Sequence, residues 1–216
     1  FKLFKFIPRD LLIVINSITN TSIMNFLSID CSTEPGSLFV KVKNKTFSKV
    51  LQSDKSNIDL LMKQILLFFS ENQIKFEDIS KIFINQGPGN FSGLRGSLAT
   101  AKGVSLSKNL SLFGYDKFIW LCAKFFDKKD SIYSLIKFGD KYFMRQYDRN
   151  LNSISEIKTV KVDELIKKYD KKFKVIPRSD VSNFDKEILN LPNLTTVDLD
   201  HEDLEFVAEG LKITLR

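Results

Sequence analysis

Histidine and cysteine, the side chains that hold most structural zinc ions and all disulfides, are almost absent from this sequence. The 216 residues include one histidine, His201, and two cysteines, Cys31 and Cys122. Two cysteines are too few for a disulfide framework, and their spacing is unlike that of a metal site. These scarcities argue against a disulfide-stabilised secreted domain and indicate a reduced, cytoplasmic setting.

Long apolar segments are also lacking near the start of the chain. Within residues 1 to 23 the apolar run covers only Leu11 to Ile15 and directly follows Arg9 and Asp10, whereas a transmembrane helix needs about 20 apolar residues. A secretory signal would need a longer apolar core and a small-residue cleavage site. We expect residues 1 to 23 to be a non-native or upstream extension outside the fold; a functional segment is the alternative.

The bulk composition is that of an ordinary globular protein, with 43% hydrophobic and 27% charged residues. The net charge of +7 is unevenly distributed, since residues 124 to 178 hold 15 Lys and Arg against 8 Asp and Glu, and residues 179 to 216 hold 3 against 9. A solvated face and a surface that contacts RNA phosphates both fit the densest basic run. That run consists of Lys167, Lys168, Lys171, Lys172 and Lys174.

A strand, a glycine turn and a helix are predicted between Lys81 and Ser107. The β-branched and aromatic run from Lys81 to Asn85 favours a buried strand, and the cluster from Gln86 to Ser92 favours a turn. A glycine turn before a helix can bind phosphate, because the backbone approaches the anion and the first N–H groups of the helix are unpaired. The spacing G-x-G-x-x-x-G fits neither nucleotide fingerprint, so a structural turn and an anion site both stay open.

Small residues dominate the helix that follows this turn. Gly96, Thr100, Gly103 and Ser107 recur at i, i+4, i+7 and i+11 and therefore share one stripe. Interior glycines cost about 1 kcal/mol each relative to alanine, so close packing must compensate for them. The stripe packs either inside the fold or against a partner.

The run from Gly87 to Gly103, GPGNFSGLRGSLATAKG, resembles the signature of the TsaB (YeaZ) family of bacterial tRNA threonylcarbamoyladenosine biosynthesis proteins. The run from Met24 to Glu34 is similar to the opening strand of that family, and the distance between the two runs also fits. Two segments depart from the family. Its His-Ser-Glu before the first helix is replaced by Lys55-Ser56-Asn57, and its Asp-Ala-Arg by the segment from Phe138 to Lys141.

The order of predicted elements, βββαβαβα in the first half, resembles the actin-like ATPase (ribonuclease H-like, ASKHA) fold of the α/β class. The elements of that half are strands Phe26 to Asp30, Ser37 to Val42 and Lys45 to Leu51, helix Asn57 to Asn72, strand Lys81 to Asn85, the small-residue helix Gly93 to Ser107, strand Ser111 to Tyr115 and helix Lys117 to Phe126. We expect a first lobe over residues 24 to 123 and a smaller second lobe over 124 to 216, whose C-terminal helix packs back on the first lobe.

The second lobe is predicted with less regular spacing. Its elements are a hairpin of Ser131 to Phe138 and Lys141 to Tyr147, a strand from Ile154 to Val160, a helix from Val162 to Tyr169, short strands Lys174 to Ile176 and Thr195 to Val197, and a final helix from Asp203 to about Ile213. No internal repeat stands out in the sequence, although the fold is built from two related lobes.

The resemblance implies three sets of site residues. A vestigial phosphate loop is formed by Asp30, Ser32 and Thr33, although an aspartate that only caps a turn is the alternative. The glycine loop consists of Gly87, Pro88, Gly89, Phe91 and Ser92. A partner interface on the two long helices consists of Leu61, Ile65, Gly93, Leu94, Arg95, Gly96, Ala99, Thr100 and Gly103.

Arg95 lies in the first turn of the small-residue helix, where a cation opposes the helix dipole by about 0.3 to 1 kcal/mol. A nearby carboxylate or phosphate would offset this cost. An internal salt bridge and a contact to a partner or ligand both stay open.

No catalytic residue and no metal ligand are expected in this chain. TsaD, the catalytic relative of the family, holds its metal through a His-x-x-x-His pair, which a chain with one histidine cannot supply. We expect His201 at the surface, because it lies in the acidic stretch His201-Glu202-Asp203.

The resemblance therefore implies a scaffold subunit that is not itself an enzyme. It would dimerise with TsaD and act with the ATPase TsaE to transfer threonylcarbamoyl onto the adenosine beside the anticodon of tRNAs that read codons starting with A. The complex would use ATP or threonylcarbamoyl adenylate, this subunit alone would bind no cofactor, and tRNA would bind through the complex. A homodimer of the isolated chain is left open, and no membrane contact is expected. The alternatives are an independent actin-like ATP-binding protein or kinase and a glycoprotease-like hydrolase.

Overall fold

Two five-stranded sheets form the centre of the computed structural model, which describes residues 24 to 52 and 57 to 210. The first sheet has the strand order β3-β2-β1-β4-β5. Its strands are β1 (Phe26–Asp30), β2 (Ser37–Val42), β3 (Lys45–Val50), β4 (Lys81–Asn85) and β5 (Ser111–Tyr115). The helices that follow β3, β4 and β5 are α1 (Asn57–Glu71), α2 (Phe91–Lys108) and α3 (Lys117–Cys122).

The second sheet has the order β10-β9-β6-β7-β8. Its strands are β6 (Ser131–Phe138), β7 (Lys141–Asp148), β8 (Lys158–Val160), β9 (Lys174–Pro177) and β10 (Leu194–Val197). The helices of this half are α4 (Val162–Tyr169), α5 (Lys186–Leu189) and α6 (Leu204–Gly210). Short 3-10 turns are found at Phe76–Asp78, Ala123–Phe125, Arg178–Asn183 and His201–Asp203.

The two sheets have the same topology. In the first, β2 is antiparallel to both β1 and β3, whereas β4 is parallel to both β1 and β5. In the second, β7 is antiparallel to β6 and β8, and β9 is parallel to β6 and β10. The fold is therefore an internal duplication, although the sequence shows no repeat.

Helices and sheets alternate in layers. One face of the first sheet packs against α1 and α2, and its other face packs against α3, α6 and the second sheet. The outer face of the second sheet packs against α4 and α5. Because β1 lies at the centre of the first sheet between two layers, all five of its residues are buried.

Polar caps explain where the central helices begin and end. The Asn90 side chain accepts a hydrogen bond from the Gly93 amide at the start of α2, and Asn109 takes a left-handed conformation (φ 51°) at its end. Asp116 caps α3 by accepting from the Ile119 amide.

The predicted α/β class and the βββαβαβα order of the first lobe are confirmed. Some boundaries differ. The helix expected from Lys117 to Phe126 is α-helical only to Cys122 and continues as a 3-10 turn. The strand expected from Ile154 starts at Lys158, because the preceding loop makes only an isolated bridge, between Ser153 and Tyr147. The expected extension, residues 1 to 23, and the end of the last helix beyond residue 210 lie outside the described residues.

The C-terminal helix α6 packs against the first lobe. Leu204 and Val207 are buried in the same core as Phe26 and Phe39, and an ion pair of 2.7 Å joins Glu205 to Lys41. None of the helices that the structure describes is long and apolar enough to cross a bilayer.

Candidate functional site

The glycine loop joins the end of β4 to the start of α2, and its amides bond within the chain. The Gly87 amide donates to Asn85 Oδ1 (2.8 Å), the Asn90 amide to the Ser32 carbonyl (2.7 Å) and the Gly93 amide to Asn90 Oδ1 (3.1 Å). These are the groups that a phosphate would need at this turn.

The Asp30 carboxylate is buried beside this loop. Its Oδ1 accepts hydrogen bonds from the Ser32 amide (2.8 Å) and from Asn85 Nδ2 (3.0 Å), and the same Nδ2 lies 3.1 Å from Ser32 Oγ. The network ties the β1–β2 loop to the end of β4. An oxygen that would organise metal-bound water in an ATPase is here hydrogen-bonded to groups of its own chain.

Two glycines allow the β1–β2 loop to lie directly against the start of α2. A Cβ atom at Gly89 would come under 3.0 Å from the Ser32 carbonyl, and one at Gly93 would come equally close to the Cys31 carbonyl. Contacts this short are not tolerated for real Cβ atoms, and both neighbours are backbone atoms with little freedom to move. The geometry favours the structural interpretation of the glycine turn, in which the glycines admit the chain itself.

The neighbouring helices α1 and α2 contact each other and expose an apolar surface. Leu60, Leu66 and Leu67 of α1 are between 39% and 49% exposed, and Leu106 of α2 is 85% exposed. Ala99 and Gly103 of α2 are exposed as well, and a Cβ atom at Gly103 would meet nothing within 4 Å. We call these residues the docking face: Leu60, Leu66, Leu67, Ala99, Gly103 and Leu106.

Comparison with known proteins decides the family. The model of the family described as TsaD, tRNA N6-adenosine threonylcarbamoyltransferase, matches residues 52 to 178, which is more than half of the chain. The chain belongs to the TsaD family. A curated relative, tRNA threonylcarbamoyladenosine biosynthesis protein TsaB of Buchnera aphidicola subsp. Schizaphis graminum, is 26% identical over 185 residues, which are 77% of this chain and 88% of the relative.

Further relatives carry the same name. The TsaB protein of Buchnera aphidicola subsp. Baizongia pistaciae is 31% identical over 84 residues, 39% of this chain and 38% of the relative. The solved structure of YeaZ from Pseudomonas aeruginosa superposes with a TM-score of 0.63 at 14% identity, covering 86% of this chain and 90% of YeaZ. The resemblance to TsaB (YeaZ) and the actin-like fold that it implied are confirmed.

Three residues predicted at the partner interface of this TsaD-family chain are instead part of its own core. Leu61 and Ile65 are buried between α1 and the first sheet, and Gly93 is buried against the β1–β2 loop. The prediction is wrong for these three because it assigned whole helices to the interface without distinguishing the face that packs on the sheet.

The other predicted interface residues lie at or near the surface of α2. Ala99 and Gly103 are exposed, and Leu94, Gly96 and Thr100 are half-buried. The hydroxyl of Thr100 donates to the Gly96 carbonyl (3.0 Å). These positions are available to a partner, and their assignment to an interface stays a prediction.

Arg95 and Phe91 form a pair at the exposed start of α2. The Arg95 guanidinium lies 5.3 Å from the centroid of the Phe91 ring, which is itself largely exposed. Within residues 24 to 52 and 57 to 210 no carboxylate forms an ion pair with Arg95. The internal salt bridge considered from the sequence is therefore not seen among these residues.

Four leucines of the docking face were not singled out as interface residues by the sequence. Leu66 and Leu67 are each about half exposed. The available signal was the near-continuous apolar run from Leu60 to Phe69, because one buried face of a helix needs only about half of those positions. Leu106 was a lone large residue among small ones.

An apolar cavity of about 260 Å³ separates the glycine loop from the β6–β7 hairpin. The Asp116 carboxylate at its wall is already bonded to Arg145 Nη1 (2.9 Å) and caps α3. No Lys or Arg is found among the described residues that line it. Those residues are Gln86, Gly87, Pro88, Asp116, Phe118, Phe138, Phe143 and Ile157.

The cysteines are protonated thiols at neutral pH. Burial, followed by the charge of Asp30, raises the pKa of the Cys31 thiol to about 12, and burial raises the pKa of Cys122 well above its usual value. Across the described part of the chain, no group of three or more His, Cys, Asp or Glu side chains could hold a metal ion.

His201 is half-buried between the lobes and not exposed, so its expected surface position is wrong. Its Nδ1 is 2.8 Å from Ser28 Oγ and its Nε2 is 2.9 Å from Ser37 Oγ, and the ring stacks on Phe39 at 5.6 Å between centroids. Both ring nitrogens are thus engaged by hydroxyls of the first lobe. The acidic neighbours in sequence suggested solvent, but contacts made more than 160 positions away decide the burial.

We expect the stability of the protein to fall in acid because of His201. Desolvation between the lobes lowers the pKa of His201 from 6.5 to about 4, so the unfolded chain binds this proton first as the pH falls. As far as His201 is concerned, the free energy of unfolding is highest above pH 6.5 and falls by about 3 kcal/mol as the pH is lowered to 4. Urea denaturation of the wild type between pH 7 and pH 4 measures it.

A His201→Gln variant is the control for this acid dependence. Asp203, whose pKa is raised to about 6 mainly by burial, contributes with the opposite sign in an overlapping pH range. Because Asp203 is present in both proteins, the difference between their two pH profiles isolates His201. Parallel profiles would show that the imidazole is not held neutral between the lobes.

Proposed function

We propose that this chain is a non-catalytic, TsaB-like subunit that pairs with a TsaD-type transferase. The pair adds threonylcarbamoyl to the adenosine beside the anticodon in tRNAs that read codons starting with A. Membership of the TsaD family supports a role in this modification. The observation that carries the pairing is the docking face on α1 and α2.

The docking face suits a partner helix. Full burial of a leucine side chain contributes roughly 1.5 to 3 kcal/mol, and the four exposed leucines of this face lie on two helices in mutual contact. Ala99 and Gly103 of α2 are exposed and small, which allows another backbone to come close. A TsaD-type partner shares the family of this chain, so its corresponding helices are the natural complement, and a second copy of this chain would occupy the same face when TsaD is absent.

Several contacts favour the role of a non-catalytic subunit over that of an enzyme. The Asp30 carboxylate is hydrogen-bonded to groups of its own chain, and the space before α2 is filled by the β1–β2 loop. Both ring nitrogens of His201 lie at serine hydroxyls, so within the described residues neither is held by the carboxylate that orients the histidine of a Ser-His-Asp triad. In this proposal, ATP or threonylcarbamoyl adenylate is used by the complex, and TsaE supplies the ATPase.

The isolated chain tests the non-catalytic part of this proposal. We expect the purified protein to show no threonylcarbamoyl transfer, no ATP hydrolysis and no proteolysis, each assayed without a partner. Turnover that disappears in an Asp30→Ala variant would instead support an independent ATPase or kinase, and proteolysis would support a glycoprotease-like hydrolase.

A further inference from the structure

Four exposed lysines lie on two turns at one end of the second sheet. Lys128 and Lys129 precede β6, and Lys171 and Lys172 precede β9. Within the described ranges none of the four forms an ion pair, although Lys128 Nζ donates to the Lys124 carbonyl (2.9 Å). We call these four residues the lysine surface.

The two turns form one continuous surface around Phe173. The Lys129 ammonium lies 4.8 Å from the centroid of the Phe173 ring, and that ring packs edge-on against Phe125 at 5.0 Å. The Tyr133 amide donates to the Phe173 carbonyl (3.0 Å), which places the start of β6 beside the start of β9. The four lysines therefore lie on one surface rather than on two separate ones.

A fifth lysine fixes the shape of the second turn from inside. The ammonium of Lys174 is fully buried and donates to the carbonyl oxygens of Tyr169 (2.7 Å), Asp170 (2.8 Å), Lys172 (2.7 Å) and Pro192 (3.0 Å). Lys174 is thus unavailable to RNA, contrary to its place in the basic run of the sequence. Lys174 therefore holds these carbonyl oxygens on the inner side of the turn. The exposed side of the turn carries Lys171 and Lys172.

Three acidic side chains, Asp127, Asp130 and Asp170, lie next to the lysine surface in the sequence. Asp127 and Asp130 face Arg149, at 3.1 and 4.0 Å. Asp170 is half-buried, and its charge acts on the ammonium of Lys174. The four exposed lysines therefore outnumber the two exposed carboxylates, Asp127 and Asp130, and those two share Arg149.

We propose that the lysine surface binds the phosphate backbone of tRNA, an inference that rests on the proposed function. Flexible ammonium groups act as point charges and suit the distributed charge of a phosphate backbone. A protein carboxylate is typically matched by an arginine fork, and the four residues of this surface are all lysines. The lysine surface lies on the second lobe and the docking face on the first, so the two surfaces share no residue.

The test compares complexes of the full chain with its TsaD-type partner. The variant carries Lys128→Gln, Lys129→Gln, Lys171→Gln and Lys172→Gln, and the control carries glutamine at four other exposed lysines, Lys43, Lys45, Lys161 and Lys186. The probe is an unmodified tRNA transcript that reads codons starting with A. Binding is measured over a range of salt concentrations, and transfer over a range of tRNA concentrations.

We expect the variant complex to bind this tRNA roughly tenfold more weakly. The slope of log affinity against log salt concentration should fall in magnitude by about 3, because each lost phosphate contact contributes about 0.7 to 0.9. The KM for tRNA should rise while kcat and assembly with the partner stay unchanged, and the control should match the wild type. Equal tRNA affinity in variant and wild type would overturn the proposal. Loss of partner assembly at unchanged tRNA affinity would also overturn it, by showing a surface for an acidic protein.

The same assays separate the role of the lysine surface from the role of the whole chain. If the wild-type chain does not stimulate transfer by the partner at any tRNA concentration, the proposed function is wrong, whatever the variant does. If the wild-type chain stimulates transfer and the variant has an unchanged KM, only the lysine surface is wrong.

Discussion

Gly103→Leu is expected to produce a folded protein that pairs poorly with a TsaD-type partner. Nothing lies within 4 Å of a Cβ atom at this position, and replacing an interior helical glycine raises helix propensity by up to about 1 kcal/mol. At a closely packed interface, however, overpacking costs roughly 1 to 3 kcal/mol. Such a cost corresponds to roughly 5- to 150-fold in affinity.

Titration calorimetry with the partner and circular dichroism of the same sample measure the two effects of Gly103→Leu. A matched control is Thr159→Leu, which places the same side chain on the exposed edge strand β8 of the second lobe. Gly96 is a weaker probe than Gly103, because it is half-buried. If Gly103→Leu is folded and binds the partner with the affinity of the wild type, the docking face is not the surface that binds the partner.

Gly93→Ala is expected to destabilise the protein by about 3 kcal/mol or more, because one added carbon meets backbone rather than a movable side chain. Its neighbour is the Cys31 carbonyl of the β1–β2 loop, which the Asp30 network holds in place. The loop and the helix cannot both keep their positions. Urea denaturation of the variant and of the wild type gives the difference.

Gly103→Ala in the same helix is the control for Gly93→Ala. It makes the same chemical change where space is open, so the free energy of unfolding should stay unchanged or rise by up to about 1 kcal/mol. If the two alanine variants were equally stable, the glycine motif would not be explained by close approach of the β1–β2 loop. An anion site would then again be the better explanation of the motif.

The strands next to the glycine loop were predictable to the residue. β4 is a short run of β-branched and aromatic residues and β5 a short run of apolar and aromatic residues, and turn residues follow both strands. The helix α2 was also predictable, since its small and apolar residues recur with helical spacing. These patterns did not predict which face of each helix packs against the sheet.

Orientation depends on which neighbours a helix meets. α1 is apolar over most of its surface, so the sequence did not show that Leu61 and Ile65 face the sheet while Leu60 and Leu67 face outward. His201 is a second example, because its burial depends on Ser28 and Ser37 of the other lobe. The duplicated topology was expected only from the family resemblance, because the two sheets share strand order and not sequence.

Whether this chain is a non-catalytic partner of a transferase is decided by a reconstituted transfer assay with three arms: the TsaD-type partner alone, this chain alone, and both together. Each arm contains TsaE, ATP, threonylcarbamoyl adenylate and unmodified tRNA. We expect no transfer by this chain alone. Transfer by the mixture should exceed that of the partner alone and should depend on Gly103. Equal rates with and without this chain would show that it does not support the partner, and transfer by this chain in the absence of the partner would show that it is catalytic.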